Sequence, residues 1–128
     1  MPRILLVDDT GKDLECLRDA LRDAGHTVVA ECCDALSLLA LVGDSQPDLV
    51  IIDTDSPTRD VLEQLFVVSR HNPRPIVMFT QDKDQTRMRA ALKAGVSAYV
   101  VDGLAADRVQ PIVNVALARF EQWQALRQ

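Results

Sequence analysis

Ile4-Leu5-Leu6-Val7-Asp8-Asp9 is the stretch that decides the fold: four apolar residues run directly into two acids. Four apolar residues in a row leave no solvent-facing side, so the run suits a strand covered by helices on both faces, as in a parallel sheet. Working outward, four more such runs follow: Thr27-Val28-Val29-Ala30, Leu49-Val50-Ile51-Ile52, Ile76-Val77-Met78-Phe79 and Ala98-Tyr99-Val100-Val101. All are short and rich in β-branched residues, which fit a pleated, buried surface.

Amphipathic stretches lie between them. Leu14, Leu17, Leu21 and Ala24 repeat at three and four residues and are followed by Gly25, a helix stop. Ala35, Leu38, Leu39 and Val42 form a second stripe, stopped by Gly43. Val61, Leu62, Leu65, Phe66 and Val68 form a third, ending before Asn72-Pro73; Met88, Ala91 and Leu92 form a fourth, ending at Gly95. Val109, Ile112, Val113, Ala116, Phe120 and Trp123 form the fifth. Strands alternating with helices predict βα repeats with right-handed crossovers, hence helices on both faces of a five-stranded parallel sheet. The expected strand order is the flavodoxin-like 2-1-3-4-5.

The last helix carries apolar residues at 109, 113, 116, 120 and 123 and runs on without a stop signal. Covering a sheet edge takes only about three turns. Phe120, Trp123 and Leu126 lie beyond that and are expected to pack on another chain or lead into a further segment, the alternative being that they fold back on the domain; the expected partner or dimer face is Val113, Ala116, Phe120 and Trp123. On this reading residues 1–120 are the domain, and 121–128 begin a helical, coiled-coil connection to an output domain outside the chain.

A chain of 128 residues suits one domain, and 48% apolar residues suffice for a core. The formal net charge of -5 weighs against nucleic-acid binding by this segment itself. No apolar run approaches the roughly 20 residues of a membrane span, and the N-terminus does not read as a signal peptide, so a cytoplasmic location is expected. Cys16, Cys32 and Cys33 have neither a disulfide nor a zinc spacing and read as structural thiols. His26 and His71 read as loop or helix-end residues.

In open parallel sheets, ligands bind beyond the carboxyl ends of the strands, at the switch point. Asp8-Asp9, then Asp53 with Asp55, and then Thr80 stand at three ends that are adjacent in the expected order. Clustered carboxylates repel unless a cation neutralises them, and Mg2+ suits oxygen ligands with retained waters. Asp53 could then attack a phosphorus atom and become an aspartyl phosphate, with Thr80 donating to a phosphoryl oxygen. The bland alternative makes Asp9 or Thr10 a helix cap. A small enzyme or flavin carrier on the same fold is a further alternative, but Asp8-Asp9-Thr10-Gly11-Lys12 lacks the character of an anion-binding loop. No enzyme activity is expected beyond self-phosphorylation or dephosphorylation at Asp53.

Leu5-Leu6-Val7-Asp8-Asp9, Ile51-Ile52-Asp53, Pro57, Phe79-Thr80 and Lys93-Ala94-Gly95-Val96-Ser97-Ala98-Tyr99-Val100-Val101 resemble the receiver domain of bacterial response regulators, with its CheY-like fold, over about residues 2–120. The resemblance implies that Asp8, Asp9, Asp53 and the backbone carbonyl of Asp55 hold Mg2+, and that Asp53 is the phospho-acceptor of a two-component phosphorelay. It implies that Thr80 and Tyr99 are the switch pair. Where such domains carry a Lys-Pro pair after the fifth strand, this chain has Asp102-Gly103, and its only lysines are Lys12, Lys83 and Lys93. The Lys clamps the phosphoryl group; Lys12 and Lys83, at helix starts near the pocket mouth, are the candidate substitutes. Ser56 stands where the family usually has Met.

Asp53-Thr54-Asp55-Ser56-Pro57-Thr58-Arg59-Asp60-Val61-Leu62-Glu63 is similar to AmiR/NasT-type antitermination regulators of nitrate and nitrite assimilation. Pro73-Arg74-Pro75-Ile76-Val77-Met78-Phe79-Thr80 and Tyr99-Val100-Val101-Asp102-Gly103-Leu104 fit the same subgroup. The resemblance implies a coiled coil and an RNA-binding ANTAR domain beyond this segment, and control by a sensor partner protein that holds the regulator inactive. The expected function is thus a signal-transducing receiver governing transcription antitermination through such a partner, with a histidine kinase acting at Asp53 as the alternative. A homodimer through the last helix is a further expectation.

Overall fold

The computed structural model describes residues 2–8, 10, 15–34, 37–71, 73–101 and 106–127; of Cys16, residues 106–108, Trp123 and Arg127 it describes the backbone. Five strands, β1 (Arg3–Asp8), β2 (Thr27–Cys32), β3 (Leu49–Thr54), β4 (Ile76–Thr80) and β5 (Ala98–Val101), alternate with α1 (Glu15–Asp23), α2 (Leu38–Ser45), α3 (Arg59–His71), α4 (Gln85–Lys93) and α5 (Ala106–Arg127). All pairings are parallel, and the order is β2-β1-β3-β4-β5, as expected from the sequence.

Strand periodicity divides the core in two. Leu5 and Val7, Val50 and Ile52, and Ile76 and Met78 face one layer, where Leu38, Val42, Val61, Leu65, Val68 and Ala91 of α2, α3 and α4 cover them. Ile4 and Leu6, Leu49 and Ile51, and Val77 and Phe79 face the other, under Leu17, Leu21, Val109, Val113 and Ala116 of α1 and α5. Each such aliphatic side chain contributes about 1.5–3 kcal/mol by leaving water. The central strands β1, β3 and β4 are buried almost throughout, whereas β2 and β5, at the edges, are half-buried.

α1 and α4 end alike. His26 N–H donates to the Leu21 carbonyl and Gly25 N–H to that of Arg22; Val96 and Gly95 repeat the pattern on Ala91 and Leu92. This double closure places the glycine in the left-handed region, at φ 93° for Gly25 and 110° for Gly95. α2 departs from expectation. It runs through Gly43 to Ser45, and the left-handed cap is Gln46 at φ 48°. The Gln46 side chain offsets that strain by donating to the Gly43 carbonyl at 2.9 Å.

The partner face expected on α5 is corrected in part. Val113 and Ala116 are 0% and 1% exposed, packed on the sheet with Val109. The four-three spacing that suggested a helix–helix seam is here the stripe that packs inward on β4 and α1. Phe120 is half-buried, and the Trp123 side chain lies outside the described residues. Beyond Phe120 the described side chains are exposed, Leu126 at 87%. No described helix is long and apolar enough to cross a membrane.

Candidate functional site

The register of β1 with β3 sets Asp8 beside Asp53 at the carboxyl end of the sheet. Neighbouring strands lie about 4.8 Å apart, so the two carboxylates share one side at short range. Both are buried, at 3% and 2% exposure. Asp8 Oδ1 accepts the Thr10 N–H at 2.7 Å and the Thr10 hydroxyl, an Asx-type turn that aims the carboxylate. Asp8 Oδ2 is buried with no hydrogen-bond partner among the described residues. A buried carboxylate oxygen left without a donor, next to a second buried carboxylate, is the environment a hard cation relieves.

Asp55 turns its side chain to solvent, while its backbone carbonyl accepts the Thr80 hydroxyl at 2.9 Å. A carbonyl has two lone pairs, so one remains for a cation. Asp8, Asp53 and that carbonyl therefore form an oxygen donor set that suits Mg2+. Among the described residues no three acidic, His or Cys side chains gather as a metal cluster. Asp9, the third expected carboxylate, lies outside the described residues, as do Lys12 and Asp102.

Thr80 and Tyr99 both bond to the backbone of Asp82. Thr80 is 2% exposed, and its hydroxyl also accepts the Asp82 N–H at 3.1 Å. Tyr99 O–H donates to the Asp82 carbonyl at 3.0 Å, and its ring packs on the α2–α4 side of the core. Burial first, and the charge of Asp82 second, push the Tyr99 phenol above its usual range; a hydrogen bond with Thr80 and the charge of Arg87 pull the other way.

The sequence reading missed Asp82. Its Oδ2 accepts the Ser56 hydroxyl at 2.7 Å and the Arg87 guanidinium at 2.8 Å, while Oδ1 accepts the Asp84 N–H at 2.9 Å. These donors, led by Ser56, hold its carboxyl down to about 2. One carboxylate thus ties the loop after β3 to the loop after β4 and to the first turn of α4. Asp84 caps that helix through the Thr86 N–H at 2.8 Å. The only sequence signal was an Asp-x-Asp before a helix, which reads as a cap alone.

Two hollows, of about 530 and 400 Å3, lie at the opposite pole around Arg74 and Phe120. They are far from the paired carboxylates. Cys32 is half-buried and Cys33 exposed; both are free thiols.

Comparison with known proteins agrees with this fold. The chain is 29% identical over 124 residues to the transcriptional regulatory protein PdtaR of Mycobacterium tuberculosis, covering 97% of this chain and 60% of that one. It thus spans about three-fifths of that relative's length. It is 29% identical over 116 residues to the chemotaxis protein CheY of Bacillus subtilis, covering 90% and 97% of the two chains. A two-component response regulator of the LuxR family from Aurantimonas superposes with a TM-score of 0.77 at 28% identity, covering 92% of this chain and 86% of that one. A CheY-like receiver domain from Methanospirillum hungatei reaches 0.80 at 22% identity, covering 95% and 98%, which speaks to the fold alone. Residues 4–114 match the response regulator receiver domain, and with the acid pair at the strand ends this chain belongs to that family.

Proposed function

We infer that the chain is the signal-receiving domain of a transcription antitermination regulator, with Asp53 as its phospho-acceptor. The observation that carries the Asp53 reading is the register of Asp8 with Asp53, together with the unpartnered Asp8 Oδ2. Asp53 supplies the attacking oxygen. Asp8, Asp9 and the Asp55 carbonyl would hold Mg2+, which would neutralise the oxygens of the transferring phosphoryl group. Thr80 gives up the Asp55 carbonyl to donate to that group, and Tyr99 follows it. The antitermination reading is supported by the likeness of residues 53–63 to AmiR/NasT-type regulators. The greater length of PdtaR, a transcriptional regulator, also supports it. An RNA-binding output domain then lies beyond α5, whose end, with Leu126 exposed, meets a second copy or the connection.

Asp102 supports a second reading. An acid where a cation should meet phosphoryl oxygens weakens transfer, so a sensor protein bound to α4, β5 and α5 would do the regulating.

Intact-mass spectrometry after incubation with Mg2+ and a small acyl phosphate separates the two. A gain of one phosphoryl group that is absent in Asp53→Asn supports the first. No gain in the folded native chain rejects it in favour of partner control.

A further inference from the structure

The sequence has Asp102 where receiver domains carry a lysine, and among the described residues a different cation stands close to the loop after β3. Arg87, in the first turn of α4, pairs with Asp82 Oδ2 at 2.8 Å. The same oxygen accepts the hydroxyl of Ser56, three residues beyond Asp53. Asp82 is bonded through its backbone to both Thr80 and Tyr99. The guanidinium thus stands one shared oxygen away from the loop that follows Asp53 and the end of β3, on a half-exposed side chain.

We propose that Arg87 is the cation that receives the phosphoryl group on Asp53, released to it by Asp82. This rests on the reading of Asp53 as phospho-acceptor. In the resting domain Asp82, carrying one negative charge, holds both the Arg87 guanidinium and the Ser56 hydroxyl. An Asp53 oxygen attacks the phosphorus of an acyl phosphate; the O–P bond to Asp53 forms as the bond to the donor's acyl oxygen breaks. The donor leaves as a carboxylate with the bonding pair, and no proton moves. The new group carries more charge than Asp82 and offers three oxygens in the geometry a guanidinium binds with two parallel N–H donors. Arg87 exchanges one partner for the other. Because it belongs to α4, and because Tyr99 bonds to Asp82, the exchange carries the event from the pocket to the α4–β5 surface without a lysine.

The exchange makes Asp82 a competitor and Arg87 a helper, so their removal has opposite effects. A static tie between loops would make both losses act in the same direction. The experiment follows phosphoryl incorporation by intact mass, with Mg2+ and acetyl phosphate, in the native chain and in Asp82→Asn, Arg87→Gln and Arg87→Lys, each first shown to be folded by circular dichroism. The expected result is a rate raised about 3–10-fold in Asp82→Asn and lowered about 10-fold or more in Arg87→Gln, with Arg87→Lys between native and Gln. Equal-sign effects, or an Arg87→Gln rate equal to native, overturn the role of Arg87 while leaving Asp53 as acceptor. A native chain that gains no phosphoryl group overturns both.

Discussion

The Thr80 hydroxyl donates to the carbonyl of Asp55 and accepts from the backbone N–H of Asp82, so one buried side chain joins the loop after β3 to the loop after β4. Thr80→Val keeps the shape and deletes both bonds, leaving the Asp82 N–H without its acceptor. It is expected to cost about 1–3 kcal/mol in urea unfolding. Thr80→Ser, which keeps the hydroxyl, should recover most of that.

Tyr99 is the only tyrosine in the chain, so its ionisation can be followed by absorbance near 295 nm without interference from another phenol. Its phenol is raised by burial first and by Asp82 second, and lowered by the Thr80 bond and Arg87. Asp82→Asn should therefore move the titration down, and Thr80→Val or Arg87→Gln should move it up. A titration that is the same in all four chains would remove Tyr99 from the network.

Gly25 and Gly95 close their helices in the same way and differ in what surrounds them. A Cβ on Gly25 meets nothing within 4 Å, while one on Gly95 would sit 1.9 Å from Ser69 Oγ and 2.5 Å from Ser69 Cβ. Gly25→Ala should cost only the strain of its positive φ, about 1–2 kcal/mol. Gly95→Ala adds overpacking against α3, and about 3 kcal/mol or more is expected. Ser69→Gly in the Gly95→Ala background should return part of that difference, as read from urea midpoints.

The strands and the acids were legible because each depends on its own short stretch. Four apolar residues in a row leave no exposed face, and Asp8, Asp53 and Thr80 follow such runs directly. The stop of α2 was expected at Gly43, whereas the helix runs on to Ser45 and its left-handed cap is Gln46. Glycine is the default there, but the Gln46 side chain reaches back to the Gly43 carbonyl and stabilises the turn itself. The role of Val113 and Ala116 was misread because a stripe facing a sheet and a seam facing another helix share one spacing. The Asp82 network could not be read at all. Ser56, Arg87 and Tyr99 are brought to it from three different elements, and nothing local to residue 82 announces them.

Val113 and Leu126 now make opposite predictions from the same helix. Val113→Ala removes two buried methyl groups beneath the sheet and should cost about 2 kcal/mol in the isolated domain. Leu126→Ala removes a side chain that is 87% exposed, so its cost there should stay within about 0.5 kcal/mol. If α5 meets a second copy through its exposed end, sedimentation of the Leu126→Ala chain should show weaker self-association with unfolding unchanged.

Asp82 also predicts the shape of the acid limb. Its carboxyl is lowered from 3.8 to about 2, first by the Ser56 hydroxyl, then by the Asp84 N–H and by Arg87. A carboxyl depressed in the folded state binds its proton less readily there than in the unfolded chain. Its contribution to stability is therefore complete above the unfolded value and disappears as pH falls from about 3.8 toward 2. Asp82→Asn lacks that contribution at every pH. The difference in urea midpoint between native and variant should be constant above pH 5 and shrink steadily below 4, vanishing near 2. Other carboxyls titrate in the same window, but they do so in both chains and cancel in the difference. A gap that held constant down to pH 2 would mean that the unfolded chain holds the same proton as tightly as the folded one, and that the Ser56 and Arg87 contacts do not stabilise the charged form.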